Sequence, residues 1–146
     1  ETIHAATDLL AEAKLSPELR NEALYYRAKA YTKQKADKKA MEDYRELAKD
    51  TRNSYGAEAK YQVAQSLYDA KEYAAAEKEL LNYIEQSTPH AYWLARSFIL
   101  LSDVYHATGK DLDARQYLLS LQQNYQGNDD IESMIESRLS KLKVEN

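Results

Sequence analysis

Along residues 100–119, "LLSDVYHATGKDLDARQYLL", apolar and small residues recur at helical spacing, in two stretches broken at Gly109. Ser102 is followed three places on by Tyr105, twelve places on by Ala114, and four beyond that by Leu118. The same spacing appears upstream as Ala64, Leu67, Ala76 and Leu80, and again as Ala28, Tyr31, Ala40 and Tyr44. A partial copy is read in Ala5 and Leu9. The alanines at 5, 40, 76 and 114 lie 35, 36 and 38 residues apart, which predicts an array of helix pairs instead of one isolated hairpin.

The residue types follow from packing. A small side chain in the first helix lets the second approach, and a large one a turn away fills the neighbouring gap. Ala and Leu at i and i+4 share one helical face. Such a pair cannot bury its faces alone, so neighbouring pairs must stack. Tyr26, Tyr31, Tyr44, Tyr83, Tyr105 and Tyr117 read as packing residues whose hydroxyls reach the rim.

Punctuation sets the boundaries. Ser16-Pro17 and Thr88-Pro89 each read as an N-cap followed by proline at the first helical position, and Asn53-Ser54 serves the repeat between them. Gly109 allows a left-handed turn, and the equivalent places five before Ala40 and Ala76 hold Lys35 and Lys71, whose turns must be made without glycine. After Gly127, Asn128 and Asp129 with Glu132 predict a capping-box start. Ile131, Met134, Ile135, Leu139 and Leu142 then form one stripe, as expected of a terminal cap. The expected organisation is a second helix of a truncated repeat at 1–15, repeats at 16–53, 54–87 and 88–127, and a capping helix at 128–146. That makes an all-α chain of about seven to eight antiparallel helices in a single domain.

Composition sharpens this. With Gly 3 and Pro 2 in 146 residues, sheets and tight loops are disfavoured. A net charge of −4 argues against a nucleic-acid binder, although Arg27, Lys29, Lys33, Lys35, Lys38 and Lys39 make a basic run interrupted by Asp37. No cysteine is present, so disulfides and thiolate chemistry are excluded. No apolar run is long enough for a membrane span. The start at Glu1, without methionine or signal peptide, reads as the beginning of an excised C-terminal piece.

Chemistry is sparse. Three scattered glycines form no phosphate loop, His4, His90 and His106 lack metal-ligand spacing, and no serine stands in a nucleophile elbow. Carboxylate pairs such as Asp111 and Asp113 sit at helix starts, where the dipole accounts for them. The expectation is a non-enzyme with no cofactor and no metal.

The recurring small residue, the large residue three later, the turn glycine at 109, the following alanine and bulky residue, and the proline at 89 resemble the tetratricopeptide repeat (TPR) pattern. The resemblance covers nearly the whole chain, with a lengthened period. "AYWLARSFILLSDVY" as a helix opening is similar to repeats of bacterial cell-envelope proteins of this class, which implies a periplasmic or envelope location. It implies a right-handed α-α superhelix whose first helices line a concave groove for a peptide or protein. The groove residues are then Tyr25, Lys29, Thr32 and Lys33 in the first pair, Tyr61, Gln65 and Tyr68 in the second, and Arg96, Ile99, Asp103 and His106 in the third. Tyrosine and arginine are types enriched at binding hot spots. Tyr25, Gln62, Gln65 and Leu100 stand where a chaperone-tail clamp would need other residues. The alternatives are self-association as a homodimer, through the last helix or an exposed truncated N-terminal end, or a regulatory array of a larger protein.

Overall fold

The computed structural model describes residues 2–12, 14–86 and 88–142, and these are helical, with no strand among them. Eight helices follow in order: α1 (Thr2–Leu10), α2 (Pro17–Lys33), α3 (Asp37–Leu47), α4 (Ser54–Asp69), α5 (Tyr73–Glu85), α6 (Ala91–Ala107), α7 (Asp111–Asn124) and α8 (Ile131–Leu139). The chain divides into two compact units, Glu1–Val63 and Ala64–Asn146, with α4 contributing its first half to one and its second half to the other. The expected cap at 128–146 extends past the described residues at 143–146, and the boundary at Ser87 also lies outside them.

In the first unit α2 packs against both α1 and α3. Ser16 starts α2, its hydroxyl accepting from the Leu19 amide at 3.2 Å, with Pro17 at the first turn. The core is built on small residues: Ala28 and Ala40 are buried, and Leu24, Tyr44 and Leu47 fill around them. The partial copy is shifted by one place, because Ala6 is buried and Ala5 is exposed. Arg27 binds Asp43 through two hydrogen bonds of 2.8 and 2.7 Å and reaches Thr7 at 3.1 Å, so one guanidinium joins three helices. At the start of α4, the Asn53 side chain accepts from the Gly56 amide at 2.8 Å. A Cβ on Gly56 would fall on the Asp50 carbonyl oxygen and within 2.8 Å of that of Leu47, so only glycine permits this approach.

In the second unit α6 is the central helix, packed against α5, α7 and α8. Its buried positions include Ala95, Ile99, Leu100, Leu101, Ser102, Val104 and Tyr105. Ala76 with Leu80, and Ala114 with Leu118, supply the facing small-and-large pairs, all buried. Thr88 does not cap α6. The helix begins at Ala91, and the Thr88 hydroxyl instead accepts from the His90 amide at 3.3 Å, a local turn that delays the start by two residues. The capping box at α8 is likewise absent: Asp129 accepts from the Ile131 amide at 3.0 Å, and Glu132 is one place too early to reach back.

Three of the interhelical turns, α2–α3, α4–α5 and α6–α7, share one backbone motif. Lys35, Lys71 and Gly109 take φ of 61°, 63° and 79°. After each, an amide reaches back to close the helix end: Ala36 to the Tyr31 carbonyl at 2.8 Å, Glu72 to Leu67 at 2.9 Å, and Lys110 to Tyr105 at 2.7 Å. With the bonds across fewer residues from Lys35 to Thr32, Lys71 to Tyr68 and Gly109 to His106, these are three Schellman closures at equivalent positions. Among these six tyrosines, Tyr44, Tyr83 and Tyr105 are buried, Tyr31 and Tyr117 half-buried, and Tyr26 is 50% exposed, packing edge-on against Tyr25 at 5.3 Å.

Candidate functional site

On α2 two of the four expected contact residues, Tyr25 and Lys29, are tied to an acid of the protein's own α4. The Tyr25 hydroxyl donates to Glu58 Oε1 at 2.9 Å, and Lys29 Nζ donates to Glu58 Oε2 at 2.7 Å. Lys29 also lies 5.1 Å from the centre of the Tyr25 ring. Burial works against the Lys29 charge, but the hydrogen bond and charge of Glu58 outweigh it and hold the ammonium above its ordinary pKa. Burial, with Glu58 beside it, pushes the Tyr25 phenol up. Thr32 is exposed and its hydroxyl bonds back to the Ala28 carbonyl at 3.0 Å. Lys33 is exposed. Tyr61, on α4, is only 6% exposed and belongs to the core.

In the second unit, Gln65 donates to Asp69 at 2.9 Å along α4, and Tyr68 stands half-buried, edge-on to Tyr73 at 5.6 Å. Ile99 is 1% exposed; α6 turns it inward, so it offers nothing to a partner. Asp103 accepts from Arg138 of α8 at 3.1 Å. Burial raises the Asp103 pKa, and Arg138 opposes that rise without cancelling it. His106 is exposed, its Nδ1 2.9 Å from Asp111 Oδ1. Arg96 donates to the Tyr92 hydroxyl at 2.9 Å, which donates in turn to Asp130 at 2.9 Å. The guanidinium lies 5.8 and 5.9 Å from the Tyr92 and Trp93 rings.

The sequence-expected residues therefore sort by fate. Tyr25, Lys29 and Asp103 hold helices together, Tyr61 and Ile99 are core, and Thr32, Lys33 and His106 remain open to solvent, with Tyr68, Gln65 and Arg96 half-buried. Glu58 was not anticipated, although a lone acid in the small run "GAEA" was the available signal. An apolar cavity of about 210 Å³ was also not anticipated; it lies between α6 and α7, walled by Leu94, Phe98, Leu121 and Tyr125 among others. The last-helix stripe is covered in part: Ile131, Ile135 and Leu142 are buried, the helix packing on α6 and α7, while Met134 and Leu139 are half-buried. Among the described residues no group of three His, Asp or Glu side chains is placed to hold a metal ion, and no helix is long and apolar enough to cross a membrane. No family model matches the chain, and neither the curated proteins nor the solved structures contain a match to it.

Proposed function

We propose that the chain is a non-catalytic protein–protein interaction scaffold, a right-handed α-α repeat of tetratricopeptide type that binds a peptide or protein through the faces of its first helices. The observation that carries this reading is the recurrence of one Schellman closure at Lys35, Lys71 and Gly109, each five residues before a buried alanine. Repetition of a turn together with its core alanine is what a stacked helix-pair array requires.

A scaffold of this kind binds by pre-organisation, since stiff helices present side chains whose ordering has already been accomplished by folding. On α6 the Tyr92, Trp93 and Arg96 cluster is of that sort: rings and guanidinium are mutually packed and anchored at Asp130. Its residue types are those found at interface hot spots. On α2, the open positions are Thr32 and Lys33.

The test is capture from a source lysate with mass-spectrometric identification, using the parent chain, a Thr32→Glu/Lys33→Glu variant and a Trp93→Ala variant. A protein held by the parent and lost by either variant supports the scaffold reading and says which unit binds. Retention of the same proteins by parent and both variants would overturn it. Light scattering on the parent checks the homodimer alternative, for which the burial of Ile131 and Ile135 leaves Met134 and Leu139 as the half-buried part of the stripe.

A further inference from the structure

The tip of the α2–α3 hairpin carries charge that the fold does not use. Of the six cations between Arg27 and Lys39, two are neutralised internally, Arg27 by Asp43 and Lys29 by Glu58. The other four, Lys33, Lys35, Lys38 and Lys39, are all exposed, and among the described residues none has a carboxylate within ion-pair distance. Lys39 makes only a ring contact, 5.8 Å from the Tyr31 centre. Asp37, the one acid among them, occupies the first helical position of α3, where the helix dipole favours it.

The turn itself does not demand these lysines. The same closure at Lys71 is flanked by Asp69 and Glu72, and the one at Gly109 by Lys110, Asp111 and Asp113. Only the first hairpin has a basic tip. At the far end of that same hairpin, by contrast, three of the cations are paired, Lys49 with Glu46 at 2.9 Å, Arg52 with Asp50 at 3.0 Å, and Arg20 with Glu46 at 3.9 Å, and Arg45 alone of α3's last turn is exposed.

The geometry points to the α2–α3 tip as a peripheral contact for an anionic lipid surface. The side chains are lysines, hydrated point charges suited to a diffuse field; bidentate recognition of single phosphates favours arginine. They project from a helix-hairpin tip, and the ring beside it, Tyr31, is half-buried with Arg27 and Lys39 already over it, which leaves a base no free face to stack on. Lysines near an anionic leaflet each add about 1 kcal/mol of attraction. The overall charge of −4 opposes adsorption, so the tip would set which part of the molecule touches first.

The experiment is sedimentation of the full chain with vesicles of phosphatidylcholine alone, or with about one third phosphatidylglycerol, at about 0.05 and 0.5 M salt. Two variants run beside the parent: Lys33→Gln/Lys38→Gln/Lys39→Gln at the tip, and Lys14→Gln/Lys78→Gln/Lys110→Gln elsewhere, which removes the same charge. Circular dichroism verifies that both remain helical. The expected result is parent binding to anionic vesicles only, weakened by salt, lost about a hundredfold in the tip variant and largely kept in the other. Absence of parent binding, or equal losses in the two variants, would overturn the proposal. So would binding of the parent to polyglutamate or a single-stranded oligonucleotide in preference to vesicles.

Discussion

Lys29 and Asp103 occupy the same place in the repeat, each directly after the small residue of a first helix, and each reaches across to a later helix. Their charges are opposite. In the first unit Lys29 meets the buried acid Glu58 at 2.7 Å; in the second Asp103 meets Arg138 at 3.1 Å. A position read as presenting side chains to a ligand thus joins helix to helix in both units, with the sign of the bridge inverted. The carboxylate is the buried partner in one case, with 11% of the Glu58 side chain accessible, and both partners are partly wet in the other. Geometry differs as well, since Glu58 satisfies two donors on separate oxygens while Arg138 approaches Asp103 through longer bonds of 3.1 to 3.4 Å.

The largest effect should therefore fall in the first unit. Glu58→Ala leaves Lys29 without its counter-charge and the Tyr25 hydroxyl without its acceptor, and removing one partner of a buried charged network costs about 3 kcal/mol. Arg138→Ala, which breaks longer bonds to an acid that keeps 21% of its side chain accessible, should cost about 1 kcal/mol. Urea unfolding of the two variants compares them, and hydrogen exchange assigns each loss to α2 or to α8. Equal losses would mean that the two bridges are alike in spite of their burial.

Next comes a reversal of sign. Lys29→Glu places like charges against each other at the Glu58 site and should cost about 2 kcal/mol, with Lys29→Glu/Glu58→Lys recovering part of that loss. A double variant no better than the sum of its single changes would show that the pairing contributes shape more than charge.

How far the sequence foretold this arrangement depends on the kind of residue. The buried alanines at 28, 40, 64, 76 and 114 and the left-handed places at 35, 71 and 109 were legible because both arise from repetition, and repetition is visible along a chain. The destinations of Lys29 and Asp103 were not. A polar side chain at the edge of a helical face has the same sequence context whether it meets water or a neighbouring helix. Its partner lies 29 residues away in one case and 35 in the other, so no single spacing marks it. The shift from Ala5 to Ala6 came from two adjacent alanines that spacing alone could not separate. Thr88 was read as a cap because Thr-Pro is a helix-start signal, and the local hydroxyl-to-amide turn at His90 competed successfully.

The turns offer a smaller comparison between the units. Gly109→Ala places a Cβ at φ of 79° with no atom within 4 Å to hinder it, so the loss of about 1 kcal/mol would be purely conformational. Lys35→Gly relieves a φ of 61° and should stabilise by a few tenths to about 1 kcal/mol, the larger freedom of glycine in the unfolded chain offsetting part of the gain. Thermal unfolding of both variants checks the signs; a destabilised Lys35→Gly would mean the lysine contributes more through the α2 carboxyl-terminal dipole than its backbone strain removes.

The smallest effect belongs to Asp103→Asn, and its value lies in its pH dependence. Burial raises the Asp103 pKa in the folded protein above its ordinary carboxylate value in the unfolded chain. The folded state therefore holds the proton more tightly. The stabilisation that this supplies is complete below the ordinary value of about 3.9 and disappears as pH rises through the higher folded value. Measured as the difference in unfolding free energy between parent and Asp103→Asn, the advantage of the parent should shrink as pH climbs out of the acid range. At neutral pH the variant should lie within about 1 kcal/mol of the parent, because an asparagine oxygen still accepts from Arg138 while no longer carrying a desolvated charge. The groups facing the carboxyl, Arg138 from α8, Lys141 just beyond it and His106 from α6, each favour the ionised form. A difference that instead grows with pH would show that these cations outweigh burial, and would make the Asp103 bridge a second version of the one at Glu58.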